Sequence, residues 1–203
     1  GFHPINQDLP KAISKSEARK KLGLSDENPL VLFFGLVRQY KGLDLLIDAF
    51  AQDSLLNSTA ELVIVGEFYD KIEPYRKQIK AHDLGSRIRV VNEFVSFEVA
   101  RDYFCATDIV VQPYKTATQS GVTPLAYHYE APLVVTDLAG LRTPIQTDET
   151  GTVCEKNAVS LAQAIEKLLS IEAQALAKAN LKKTKKNYSW KAFVKQWLSF
   201  TTE

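Results

Sequence analysis

The feature that most restricts this chain is a repeated pairing: a short run of consecutive apolar residues, then a stretch with helical periodicity. The runs fall at 29–34, 61–65, 87–91, 108–111 and 132–135, with a shorter sixth at 151–154. Between them, residues 44–50, 71–82, 97–106, 122–129 and 158–170 carry apolar side chains at the spacing of a helix face. A strand with one wet face alternates apolar and polar residues. A strand apolar at every position is covered on both sides, as in a parallel sheet between two helical layers. Strand–helix alternation joins such strands by right-handed crossovers. The predicted fold class is therefore α/β: a three-layer, Rossmann-like domain with a parallel sheet of about six strands. The stretch between the fifth and sixth strands reads as a loop.

Charge and composition narrow the function classes. With 25 basic and 24 acidic residues in 203, the net charge is +1, and no large field points to nucleic acid. Cys105 and Cys154 sit in apolar surroundings outside any CxxC pair, so two buried free thiols in a reducing, cytoplasmic compartment are expected. No stretch approaches the roughly 20 apolar residues of a membrane span. The nine glycines form no GxGxxG, and there is no P-loop, HExxH, GxSxG or Cys/His cluster. No metal is expected. His128 reads as a packing or surface residue. The chain has no Met and begins Gly1-Phe2-His3-Pro4, which suggests a piece of a longer protein.

The flanks differ from the middle. Residues 1–28 are polar and irregular, apart from a helix at 14–24 opened by a Ser14/Glu17 capping box. Residues 174–203 are rich in lysine (Lys178, Lys182, Lys183, Lys185, Lys186). There Ser189 is a candidate N-cap, followed by Trp190, Phe193, Val194, Trp197 and Phe200 at helical spacing. This amphipathic helix packs on the domain or on an absent part. Its lysines are a solvated face in the preferred reading and a peripheral membrane contact in the other.

In an open parallel sheet, ligands bind at the carboxyl ends of the strands. After the first run comes Gly35-Leu36-Val37-Arg38-Gln39-Tyr40-Lys41-Gly42. Gly35 allows close approach, and Arg38 and Lys41 can hold an anion. After the second run stands Gly66-Glu67. After the fourth comes Gln112-Pro113-Tyr114-Lys115, then the small, polar segment 116–122, which leads into a helix N-terminus with free backbone N–H groups. Each loop alone is consistent with an ordinary surface loop or a Thr118 or Ser120 cap. Together, on one sheet edge, they form a candidate phosphate site.

The segment Gly-Leu-Val-Arg-Gln-Tyr-Lys-Gly-Leu-Asp-Leu-Leu-Ile-Asp-Ala-Phe at 35–50 resembles the start of the donor-binding half of family 4 glycosyltransferases of the GT-B fold. Segments 62–66, 89–95, 106–114, 132–141 and 148–151 follow in the order of that family. The resemblance spans about 29–170 and implies three parts: a connector with a short helix (1–28), the donor-binding domain (29–170), and C-terminal amphipathic helices (171–203). It implies transfer of a sugar from a nucleotide-diphosphate donor, with retention and without a metal or other cofactor. The acceptor, a glycan or lipid-linked molecule, would sit on a missing N-terminal domain. By position, Arg38 and Lys41 match the cations on the donor diphosphate, and Ser120, Gly121 and Val122 match the phosphate-facing turn. Asn92 and Phe94 lie where the base is held, while Gly35 lets the donor approach. Glu67 and Gln119 are the candidates for sugar contacts. The chain departs from the family at two positions usually occupied by glutamate, which are Ala117 and Leu125 here. Glu130, past the helix, reads as structural. Two alternatives stay open: a non-catalytic nucleotide-binding or assembly domain, and a sugar-nucleotide epimerase-type enzyme of the same fold.

Overall fold

A computed structural model describes residues 3–199. Gly1, Phe2 and Phe200 lie outside the described residues. In chain order the elements are α1 (Lys15–Leu22), β1 (Leu30–Phe34), α2 (Leu43–Phe50), α3 (Asp53–Leu56), β2 (Glu61–Val65), α4 (Glu73–Ala81), β3 (Ile88–Val91), α5 (Phe97–Ala106), β4 (Ile109–Gln112), α6 (Val122–His128), β5 (Leu133–Thr136), α7 (Ala139–Asp148), β6 (Gly151–Cys154), α8 (Ala158–Leu169), α9 (Ile171–Thr184) and α10 (Trp190–Ser199).

The six strands form one all-parallel sheet in the order β3-β2-β1-β4-β5-β6. Val31 of β1 pairs with Leu62 on one side and Ile109 on the other. The chain winds outward in both directions from the β1/β4 pair, so the crevice at the carboxyl ends opens there. Alternate residues of β1 feed two cores. Val31 and Phe33 pack with α2, α3, α4 and α8, whereas Leu30 and Leu32 pack with α1, α5, α6 and α7. This two-sided burial is the physical reason the central strands are almost wholly apolar, whereas the edge strand β3 exposes Arg89. Helix α9 follows the β6 edge, sending Ala177 into one core and Leu181 into the other.

Between β5 and β6, where a loop was predicted, the chain forms the ten-residue helix α7. Pro144 lies inside it and removes one backbone hydrogen bond, which hides the helix in the sequence. Leu141 and Ile145, one turn apart and buried, hold it to the sheet.

The N-terminal flank is integral to the packing. Ser14 Oγ accepts the Glu17 N–H (3.2 Å), and Gly23 closes α1 in the left-handed conformation. Arg19 on α1 is fully buried. It donates to Ala106 O, Ser25 O, Asn28 O and Asp108 Oδ2 at 2.7–2.9 Å. Asp108 also accepts the Leu30 N–H (2.9 Å) and pairs with Lys15. This cluster staples α1 to the starts of β1 and β4.

Both cysteines are free, but only Cys154 is fully buried. Cys105, contrary to expectation, is half-buried: it lies on the flank of α5 beside Ile13, where the N-terminal segment covers it in part. On α10, Trp190, Val194, Trp197 and Leu198 are exposed, and Ser189 Oγ accepts the Ala192 N–H as a cap. Among the described residues no helix is long and apolar enough to cross a membrane.

Candidate functional site

Three loops meet at the carboxyl edge near β1 and β4. Gly35 follows β1 with φ 96°, and its N–H reaches Val65 O (2.8 Å). The Val37 N–H donates to Glu67 O (2.8 Å) and the Tyr69 N–H to Val37 O (3.1 Å), so the loop after β1 runs beside the loop after β2. One 3-10 turn, Gln39–Lys41, then leads into Gly42 at φ 67° and on to α2. A Cβ on Gly42 would stand 2.0 Å from Pro113 O, so only glycine lets this loop lie against the one after β4. The Lys115 N–H donates to Tyr40 O (2.7 Å), and the Lys115 ammonium pairs with Asp44, tightening the same junction.

The 3-10 turn carries Lys41 inward. Lys41 is 9% exposed. Its Nζ would be 3.1 Å from a Cβ on Gly35, and a Val122 methyl would be 3.7 Å from the same point. Gly35, Lys41 and Val122 therefore lie together. Burial, and secondarily the charge of Arg38, push the Lys41 pKa down to about 8. Arg38 is half-buried, with its guanidinium 4.1 Å from the Tyr69 ring centroid, a cation–π contact. Among the described residues neither cation has a carboxylate within 4.0 Å.

The turn before α6 lies beside Lys41. Gly121 is the N-cap of α6 and makes no side-chain cap; Ser120 Oγ accepts the Val122 N–H instead (3.1 Å). Tyr114 OH is hydrogen-bonded to Ser120 Oγ (3.1 Å), and Thr136 Oγ1 donates to Tyr114 O (2.6 Å). Gln119 is exposed and, with Ser120, borders a cavity of about 490 Å³ between α6 and α7, walled by Pro124, Tyr127, Thr143 and Tyr188.

The remaining predicted residues form a rim at the ends of β2 and β3. The Asn92 side chain accepts the Phe68 N–H (2.9 Å) and braces the loop after β2. Phe94 is 87% exposed, and Glu67 is exposed. Ala117 and Leu125, at the two non-acidic positions, pack partly buried against the core. Glu130 adopts φ 57° and pairs with Lys185. His128 is hydrogen-bonded to Pro10 O (3.3 Å), and burial lowers its pKa. Both contacts tie α6 and the turn after it to the flanking segments. No group of three or more His, Cys, Asp or Glu suited to a metal occurs among the described residues. Sequence reasoning gave no role to Tyr69, which stacks on Arg38, or to Tyr114, which touches both loops. The available signal was the place of each just after a strand.

An open all-parallel sheet with helices on both faces and a crevice at the carboxyl ends of β1 and β4 defines a Rossmann-like domain. The chain belongs to the family of glycosyl transferases group 1, whose model matches residues 28–170. It is 30% identical over 154 residues to the D-inositol 3-phosphate glycosyltransferase of Xylanimonas cellulosilytica, covering 75% of this chain and 36% of that protein. The chain thus spans little more than a third of that relative's length. Its fold is similar to that of the sucrose-phosphate synthase of Thermosynechococcus elongatus (TM-score 0.82, 23% identity, 98% of this chain and 51% of that one). It is likewise similar to Anabaena Alr3699/HepE in complex with UDP-glucose (TM-score 0.78, 18% identity, 96% and 56%).

Proposed function

We propose that this chain is the nucleotide-sugar-binding part of a glycosyltransferase that moves a sugar from a nucleoside diphosphate to a glycan or lipid-linked acceptor held by a further domain. The observation that carries this reading is Lys41: a lysine only 9% exposed, without a carboxylate partner among the described residues, beside Arg38 and close to Val122 of the turn before α6. Sugar transfer leaves negative charge on the departing diphosphate. Fixed cations and backbone N–H groups stabilise that charge without reorganising at the moment of reaction. In this role Arg38 offers paired N–H donors and Lys41 a point charge. Gly35 leaves room for the phosphates, Ser120 and Gly121 contribute hydrogen-bond donors, and Val122, whose N–H is taken by Ser120 Oγ, closes the phosphate-facing turn. Asn92 and Phe94 lie toward the base, and Glu67 and Gln119 serve the sugar. The two cations supply the countercharge, so the reaction runs without a metal, and it retains configuration. The UDP-glucose complex of Anabaena Alr3699/HepE, which shares the fold, supports a nucleotide sugar as ligand. The free thiols fit a cytoplasmic setting.

Calorimetry of the chain with UDP, GDP and ADP tests the reading. One of them should bind, and Arg38→Ala and Lys41→Ala should each weaken it at least about tenfold. Undiminished binding in both variants overturns the assignment. One observation favours a second reading, a binding domain without catalysis: apolar Ala117 and Leu125, packed against the core, stand at the two positions where the family resemblance implies glutamates. Nucleotide binding without any sugar transfer by the longer protein would favour it.

A further inference from the structure

Tyr114 stands between the two halves of the proposed anion site, two residues past the end of β4, and is 3% exposed. Its ring centroid lies 5.6 Å from Lys41 Nζ and meets the Tyr40 ring edge-on at 6.1 Å. Among the described residues its hydroxyl has one hydrogen-bond partner, Ser120 Oγ at 3.1 Å. Ser120 Oγ also accepts the Val122 N–H at 3.1 Å.

Counting hydrogens decides which hydroxyl donates. Each has one hydrogen and two lone pairs. If Ser120 donated to Tyr114, the tyrosine hydrogen would be buried without an acceptor and would carry its full desolvation penalty. If Tyr114 donates, its hydrogen is used. Ser120 Oγ then accepts twice, from Tyr114 and from the Val122 N–H, and both its lone pairs are filled. The serine hydrogen must point away, toward the half-exposed side of the turn. A serine held in this way can only donate, which suits an anion and disfavours a ligand that presents hydrogens.

We propose that Tyr114 is a positioning residue that makes Ser120 an obligate hydrogen-bond donor to the phosphate of the ligand, and so couples the serine turn to the lysine loop. This rests on the nucleotide-sugar reading above. Burial also pushes the tyrosine pKa up to about 12, so the phenol keeps its proton throughout the neutral range.

The test uses Tyr114→Phe, which keeps the ring beside Lys41 and removes only the hydroxyl. The probe is whichever of UDP, GDP or ADP the unmodified chain binds, read by calorimetry, with the corresponding nucleoside as the phosphate-free control. Tyr114→Phe should raise the diphosphate Kd about 5–10-fold and leave the nucleoside Kd unchanged. Ser120→Ala should lose as much, Ser120→Thr should restore binding, and the double variant Tyr114→Phe/Ser120→Ala should be no worse than either single one. Losses that add in the double variant, or a Tyr114→Phe protein that binds the diphosphate normally, overturn the inference while the site reading stands. An unmodified chain that binds no nucleoside diphosphate overturns both. Should Tyr114→Phe unfold, the Ser120→Ala and Ser120→Thr pair decides alone: no loss in the alanine variant, or no recovery in the threonine variant, overturns the inference.

Discussion

Replacing Lys41 by methionine should make the unliganded protein more stable while weakening its proposed ligand site. Methionine keeps the unbranched stem and much of the volume but buries without a charge. The folded chain lowers the Lys41 pKa from 10.5 to about 8, first through burial and then through Arg38. Each factor of ten in proton affinity is about 1.4 kcal/mol, so keeping the ammonium charged in the folded state costs roughly 3 kcal/mol at pH 7. Part of this is lost again to imperfect packing of the new side chain, which leaves an expected gain of about 1–3 kcal/mol. For a domain of this size that is a rise in melting midpoint of about 2–12 °C.

The pH dependence makes the prediction specific. Below about pH 8 the lysine is protonated in both folded and unfolded chains, and the whole penalty is present. Between about 8 and 10.5 the unfolded chain binds more protons than the folded one, so the stability of the unmodified protein rises with pH. Above 10.5 the lysine is neutral in both states and the penalty is gone. The advantage of Lys41→Met should therefore be constant up to about pH 8 and shrink beyond it. Tyrosine ionisation is shared by the two proteins and cancels from the difference. Urea unfolding of both at pH 7 and pH 9.5, with calorimetric titration of UDP, GDP and ADP at pH 7, measures every part of this. A variant less stable at pH 7, or an advantage equal at the two pH values, would refute the reasoning.

Binding of a nucleoside diphosphate should draw a proton onto Lys41 above pH 8; titrations in buffers of different ionisation enthalpy should show uptake at pH 9 and almost none at pH 7. Gly42→Ala should lower stability by about 2 kcal/mol or more, because φ 67° strains the alanine and its Cβ would overlap Pro113 O. Diphosphate affinity should fall with it, since both loops must shift, and an unchanged melting midpoint would contradict this. Asp108→Ala leaves the Arg19 guanidinium buried without its carboxylate, an expected loss of about 3–5 kcal/mol in urea unfolding. A loss below about 1 kcal/mol would show that the backbone carbonyls satisfy Arg19 alone.

Most of the architecture was legible because sheet burial writes itself into consecutive residues: 61–65 and 97–106 are strand and helix to the residue. Helix α7 was not legible, because Pro144 reads as a breaker while the pair that holds the helix, Leu141 and Ile145, is too short a pattern to outweigh it. The carboxyl edge was legible as a location, since chain order and strand ends fix it. The inward turn of Lys41 was not. It depends on a 3-10 turn packed under Pro113, more than seventy positions along the chain, and no local pattern carries that contact. Tyr114 escaped for the same reason, as its meaning depends on Ser120 and Lys41 together.

Arg19 serves as an internal control for reading Lys41. Both are basic side chains withdrawn from water in one small domain. Arg19 is satisfied by three backbone carbonyls and a carboxylate, which is how a buried charge that only holds a fold is treated. Lys41 has no such set among the described residues, faces a second cation, and keeps its charge at neutral pH only at a cost in stability. Folding gains nothing from that arrangement, since methionine would fill the same space. At the proposed site, an anion at the β1/β4 crevice would relieve the repulsion between Arg38 and Lys41 and meet oriented donors. The difference in hydrogen bonding between these two buried cations, rather than the presence of charge, separates the proposed site from the scaffold. It also reconciles the proposed anion site with a net charge of only +1.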